Sequence, residues 1–293
     1  MKKKASIIII NYQDEKRIQR AIDSAINQTY KHVEVIVVDD GSDKETREIY
    51  KTYKDDIKLV QLERTDKTAR TPSRARNEGF NVASGDYIAF LDSDNYYSSD
   101  FLEECFKEEG DVYFVNWEII GLQSYICDIE KVWDFSHDLM SNYLRFQHMD
   151  HQCLLTKREI YSILLDKSGN LYDTRLPRSQ DCDLIARLLK TDCEWRHVQK
   201  RLFHFEKHET DQNKSYASIH GKTLWTLKND INYLWLMDII KKDPMLTASF
   251  YRGINDFMTS DEWQETYNDS VFKQMMDNHN NILSGERKEC LKI

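Results

Sequence analysis

Glu34-Val35-Ile36-Val37-Val38-Asp39-Asp40-Gly41-Ser42 is the stretch on which the fold turns. Four β-branched residues in succession suit a strand covered on both faces, and two aspartates and a glycine end it abruptly. Ser42 and Glu45 have the spacing of a capping box, which predicts a helix from there to about Tyr53. Upstream, Ser6–Ile10 is another such run, ending at Asn11-Tyr12. A helix capped by Asp14 should follow it, with Ile18, Ile22, Ala25 and Ile26 on its apolar face. Downstream, Lys58–Leu62 reads as a third strand, and Pro72-Ser73 opens a helix through Ala83 that Ser84-Gly85 closes. Tyr87–Leu91 is a fourth strand, ending at Asp92-Ser93-Asp94-Asn95.

Strands alternating with helices across short links predict an α/β chain with a doubly wound, mostly parallel sheet flanked by helices. Ligands of such sheets bind beyond the carboxyl ends of the strands. Asn11, Tyr12, Asp39, Asp40, Asp92 and Asp94 all fall at those ends, which is the first functional signal. Beyond Asp100 the pattern predicts a helix to Glu109, a strand over Val112–Trp117, and strands within Ile119–Phe135. Helices follow at Asp138–Phe146, Lys157–Leu165 and Asp181–Lys190. From about Ser215 Leu224, Leu227, Ile231, Leu234, Trp235 and Ile239 recur at three- and four-residue steps, a helical stripe. The expected organisation is one catalytic-type domain over 1–215, with halves 1–110 and 111–215, and a helical C-terminal extension over 216–293.

The 293 residues carry 41 Lys and Arg against 50 Asp and Glu, a formal net charge of −9. That balance argues against nucleic acid or an anionic membrane surface as a broad electrostatic partner. Lys2, Lys3 and Lys4 precede an apolar run that ends at Ile10, short of the ~7–15 residues a secretory signal needs. No stretch approaches the ~18 apolar residues of a membrane-spanning helix. Six cysteines without a CxxC pair read as reduced, buried hydrophobes. The expected setting is cytoplasmic. The tail stripe is open to three uses: packing on its own domain, a homodimer interface, or peripheral contact with the inner face of the membrane.

Asp92-Ser93-Asp94 puts two carboxylates one residue apart at a strand end, where oxygen ligands suit a hard divalent cation that bridges to phosphate. Alone, an Asp-x-Asp pair is usually a turn or a cap. Its neighbours make it specific. Ser6-Ile-Ile-Ile-Ile-Asn11-Tyr12, Gln28-Thr29-Tyr30, the Glu34–Ser42 stretch, Ala75-Arg76-Asn77-Glu78-Gly79, Ala83-Ser84-Gly85-Asp86-Tyr87-Ile88 and Leu91-Asp92-Ser93-Asp94 follow in one order. Together they resemble the family-2 glycosyltransferases of GT-A fold, densely over roughly residues 5 to 100.

The resemblance implies a nucleotide-diphosphate sugar lying across the strand ends. Tyr12 would stack on the base and Asp40 would accept from the uracil ring, favouring a UDP-sugar; Asp39 would orient the turn. Arg76 would pair with the base or the diphosphate. Asp94 would be the main ligand of Mn2+ or Mg2+, with Asp92 on the ribose or the metal and Ser93 between them. This chain has Asn95 where relatives often have another Asp. Arg178-Ser179-Gln180-Asp181-Cys182-Asp183 resembles the family's Glu-Asp motif, with Gln180 in place of Glu and Asp181 as the general base. Asp183 would point elsewhere on the helix. His208 matches a His that relatives carry near the diphosphate and metal, and Asp150 and His151 fall where relatives line the acceptor site.

The implied reaction is an inverting, metal-assisted transfer to a hydroxyl of a glycan, a lipid-linked sugar or a glycoprotein. Two alternatives stand beside it. A non-catalytic nucleotide-sugar-binding scaffold would tolerate Gln180 and Asn95. A nucleotidyltransferase would need a glycine-rich loop after the first strand, and Asn11–Arg17 contains no Gly.

Overall fold

The computed structural model describes residues 2–63, 72–121, 125–131, 133, 135, 139, 143, 149–174 and 180–207. Among the described residues nine strands form one sheet: β1 (Ala5–Asn11), β2 (Val33–Asp39), β3 (Lys58–Gln61), β4 (Tyr87–Asp92), β5 (Tyr96–Tyr97), β6 (Val112–Gly121), β7 (Tyr125–Cys127), β8 (Leu154–Lys157) and β9 (Trp195–Lys207). Their order is β3-β2-β1-β4-β8-β6-β9-β5, with β7 paired to β6. The half β3-β2-β1-β4 is parallel, and β6 and β9 also run parallel. The short β8 lies antiparallel between β4 and β6. The helices are α1 (Ile18–Ile26), α2 (Lys44–Tyr50), α3 (Pro72–Val82), α4 (Phe101–Cys105), α5 (Arg158–Ser162) and α6 (Gln180–Leu188).

The central strand explains the layering. Ile7, Ile8 and Ile9 of β1 are fully buried, and alternate side chains serve opposite faces. Ile7 and Ile9 join Ile18, Ala21 and Ile22 of α1 and Phe101 of α4 in one core. Ile8 joins Ile36, Val38, Ala75 and Phe80 on α3, and Leu184 and Ile185 on α6, in the other. Each such isoleucine contributes about 2 kcal/mol by leaving water. Close approach on the second face requires glycine: a Cβ on Gly79 would stand 2.3 Å from Cγ2 of Ile8.

Register brings the chemistry to one edge. Asn11 pairs with Asp39 and Ile10 with Asp92, so the carboxyl ends of β1, β2 and β4 lie side by side. Side chains at the opposite end of the sheet fix this arrangement. Ser6 Oγ donates to Glu34 (2.5 Å) and accepts from Gly85 N–H (2.9 Å). Gln28 links α1 to α4 by accepting from Leu102 N–H and donating to the carbonyls of Ser24 and Ser98.

Three local expectations change. Asp43, not Ser42, caps α2 through Thr46 N–H. Ser42 Oγ instead accepts from the backbone N–H of Gln13, which stands at φ 52°. Asp14 starts α1 with its carbonyl, because its carboxylate serves Arg17 and Ser93. Strand β9, which no sequence pattern announced, is the longest in the sheet. Its apolar alternation is broken by Arg and Lys residues and by a register shift opposite Val115 and Asn116. The Asp138–Phe146 segment lies largely outside the described residues, and 208–293, with the whole expected extension, lies wholly outside them. Among the described residues no helix is long and apolar enough to cross a membrane, and Cys105, Cys127, Cys153, Cys182 and Cys193 are free thiols.

Candidate active site

A cleft of about 230 Å3 opens at the strand ends, lined by Asn11, Tyr12, Asp40, Asp92, Ser93 and Asp94 among others. A larger groove, about 580 Å3, runs along α2 and β3 between Lys44, Arg47, Lys54 and Leu59. It holds none of the strand-end carboxylates, so the smaller cleft is the site. Tyr12 is 44% exposed at its rim, an aromatic ring presented to solvent. Asp40 is buried, 3.8 Å from Nη1 of Arg74. Asp39 turns the other way and organises the loop: its carboxylate accepts from Ser42 N–H (3.2 Å), Arg47 Nε (3.3 Å) and the Tyr50 hydroxyl (3.4 Å).

Polar residues of the Ala75–Gly79 stretch have separate uses on α3. Arg76, only 5% exposed, donates from Nη2 to Oδ1 of Asp92 at 2.8 Å, with its guanidinium 5.4 Å from the Tyr172 ring centroid. Burial alone would lower its pKa; the Asp92 carboxylate and Tyr172 beside it push it up. Asn77 accepts from the N–H groups of Leu171 and Tyr172 and donates to the Tyr172 carbonyl, which pins that ring in place.

Asp92 is held from the other side by Gln152, which donates from Nε2 to Oδ2 (3.2 Å) and accepts the Asp92 N–H (2.8 Å). Asn95 donates to the same Gln152 oxygen (3.0 Å) and accepts from the N–H of Glu206 (3.0 Å). Ser93 donates to Asp14 (3.1 Å), and Arg20 bridges the Asp94 carbonyl and the Glu206 carboxylate. The Asp94 carboxyl is pushed up to about 7, first by burial and then by the charge of Asp92. A divalent cation fits that environment. It would offset both effects, since an adjacent cation favours the ionised form.

The second set comes from downstream. Asp150, His151 and Asp181 each bring one ligand-type atom, and these atoms lie within 4.8 Å of one another. His151 is 2% exposed; its Nδ1 stands 3.3 Å from Oδ1 of Asp150, and its ring nitrogens make no hydrogen bond. Burial, then the charge of Arg76, holds its pKa well below the usual histidine value, so the ring is neutral. Burial raises both carboxyls, and the charge of Asp181 adds to the effect on Asp150. The three atoms are of a type that could hold a metal ion, but the Arg76 cation already acts on all three. Asp183 faces away and is paired with Arg187, which also donates to the carbonyls of Leu164 and Leu171.

The structure therefore brings Tyr12, Asp40, Arg76, Asp92, Ser93 and Asp94 to one edge, with Asp150, His151 and Asp181 within electrostatic reach through Arg76 and Asp92. His208 lies outside the described residues. His204, four residues upstream, is a packing residue stacked on Tyr96 and bonded to Glu118 and Ser98. Sequence reasoning missed Arg20, Arg74, Gln152 and the role of Asn95. The only available signal was the adjacency of Gln152 to Asp150-His151.

Residues 6–122 match the family described as Glycosyl transferase family 2. An uncharacterized glycosyltransferase of Methanocaldococcus jannaschii is 27% identical over 248 residues, covering 78% of this chain and 83% of its own. The UDP-Glc:alpha-D-GlcNAc-diphosphoundecaprenol beta-1,3-glucosyltransferase WfaP of Escherichia coli is 38% identical over 92 residues, 31% of this chain and 36% of its own. The chain spans 15% and 39% of the length of two further curated relatives, well under two thirds. Among solved structures, S. aureus TarS 1-349 in complex with UDP-GlcNAc superposes with a TM-score of 0.64 at 17% identity, covering 91% of this chain and 77% of that one. That likeness concerns the fold, a GT-A sheet. The acidic ends of β1, β2 and β4 fall within the stretch that matches glycosyl transferase family 2.

Proposed function

We propose that this protein transfers a sugar from a UDP-sugar to a hydroxyl group of a glycan, lipid-linked or glycoprotein acceptor, with inversion at the anomeric carbon. One observation carries the reading: Asp181, from a helix far along the chain, shares an electrostatic environment with Arg76 and Asp92 of the strand-end cleft. A donor-side carboxylate pair and a separate acceptor-side carboxylate are what a single displacement needs. The activity that WfaP is named for, with a UDP-Glc donor and a diphosphoundecaprenol acceptor, supports the donor class and one of the acceptor classes. The UDP-GlcNAc held by TarS supports the donor class on fold alone.

In this reading Tyr12 supplies a face for the base, and Asp40 accepts from the uracil ring nitrogen. Mn2+ or Mg2+, held by Asp94, would neutralise charge gathering on the departing diphosphate. Asp181 takes the proton of the acceptor hydroxyl. Its raised pKa suits that role, since a base that holds its proton more tightly removes one from an alcohol with a smaller energetic gap. Asp150 and neutral His151, each with a ligand-type atom within 4.8 Å of one on Asp181, orient the acceptor.

A thermal-shift series tests the donor assignment. With Mn2+, UDP should raise the melting temperature more than GDP or CDP does. An equal response to all three would remove Asp40 from base recognition, and no response to any would remove the donor site.

A further inference from the structure

The hydrogen bonds around Asp92 admit only one orientation of two side-chain amides. The backbone N–H of Asp92 can only donate, so the Gln152 atom at 2.8 Å from it is the oxygen, and Nε2 must face Oδ2 of Asp92. The backbone N–H of Glu206 likewise fixes Oδ1 of Asn95, and Nδ2 must face the Gln152 oxygen. Each carboxylate oxygen of Asp92 then accepts one hydrogen bond, Oδ1 from Arg76 and Oδ2 from Gln152, and the Arg76 cation balances its charge. Asp94 has its carbonyl tied to Arg20, while its carboxyl lines the cleft.

We propose that Gln152 and Asn95 are positioning residues that fix Asp92 as the counter-ion of Arg76, which leaves Asp94 as the carboxylate of the pair that meets the donor's cation. This rests on the donor site proposed above. The chemistry explains why position 95 is an amide here. An aspartate there keeps the bond from Glu206 but has no proton for Gln152. Gln152 cannot turn to supply one without aiming its oxygen at the Asp92 carboxylate.

A charge-swap cycle tests the inference. Q152E sets a carboxylate against Asp92, and D92N removes the partner of Arg76. Each single change should weaken UDP binding with Mn2+ by roughly tenfold or more, the fold-change of one charge-assisted hydrogen bond. The double variant Q152E/D92N restores the pattern with the charge moved: the new amide at position 92 would donate to the new carboxylate at position 152 and accept from Arg76. Its UDP affinity should return to within about threefold of wild type. N95D alone should weaken binding with no change in the number of Mn2+ ions bound per chain.

Calorimetry of UDP against Mn2+ concentration reads these values, and melting temperature in EDTA reports folding. Recovery of affinity in the double variant supports the inference. A double variant as weak as D92N would mean that Asp92 itself ligates the cation or the ribose, and would overturn it. Recovery of melting temperature with nucleotide affinity unmoved throughout would reduce the pair to a structural role and overturn it equally. If wild type binds no uridine nucleotide, the donor assignment fails. The melting temperatures in EDTA then decide the pairing: additive losses in the double variant overturn it and mutual rescue supports it.

Discussion

Replacing Asp94 with Asn should stabilise the metal-free protein. The carboxyl sits where burial and the charge of Asp92 push its pKa from the ordinary 3.8 to about 7. Below 3.8 it is neutral folded or unfolded and contributes nothing either way. Between 3.8 and about 7 the folded chain keeps a proton that the unfolded chain releases, so stability falls as pH rises; above about 7 the whole penalty is present. The gap corresponds to about 4 kcal/mol as a ceiling. Asp94 lines an open cleft, and solvent screening there brings a realistic figure nearer 2 kcal/mol. Asparagine pays none of this. For a domain of this size the variant should melt about 4–8 °C above wild type at pH 8.5 in EDTA, with a smaller gap at pH 5. Millimolar Mn2+ should raise the wild-type melting temperature and leave the variant where it was. Scanning fluorimetry at the two pH values, with and without the ion, reads all four conditions. Equal melting temperatures at pH 8.5 without metal would refute the reasoning, because they would show that the site imposes no electrostatic cost for a cation to relieve.

Two further outcomes follow from the same geometry. Asp181→Asn should retain UDP affinity and lose transfer by roughly 10²–10⁴-fold; turnover at the wild-type rate, with whichever donor and acceptor the wild type uses, would end its assignment as base. Gly85→Ala should cost about 2 kcal/mol or more, read as a lower urea midpoint, since its Cβ would stand 2.7 Å from Ser6 N and 2.8 Å from the Ala5 carbonyl carbon. An unchanged midpoint would show that β1 can move aside.

What was legible in the sequence was short-range. Four β-branched residues before Asp39 announced β2, and the strand-end acids of β1, β2 and β4 fell on one edge because the parallel register aligns them. The α2 cap was misplaced by one residue because the Ser42 hydroxyl is taken by the N–H of Gln13, and Asp43 caps through Thr46 N–H instead. Gln152 and Arg20 were invisible for a different reason. Neither lies in a periodic pattern, and each acquires its partner across 60 or 74 residues of chain. Such a bond leaves no local trace. Strand β9 was hidden by its own irregularity, since a bulge shifts the phase of inward and outward residues midway.

The insertion of β8 between β4 and β6 also bears on what counts as a heritable unit. The recognisable family segment ends at residue 122, yet a piece cut there would carry β4 and β6 with no strand between them and no Gln152 to hold Asp92. It would also leave β6 without β9, its partner over Val112–Gly121. The smallest piece that could be transplanted, duplicated or fused while keeping its donor cleft therefore extends at least to Glu206, whose N–H closes the network at Asn95. The boundary of the family match and the boundary that hydrogen bonding draws differ by more than eighty residues.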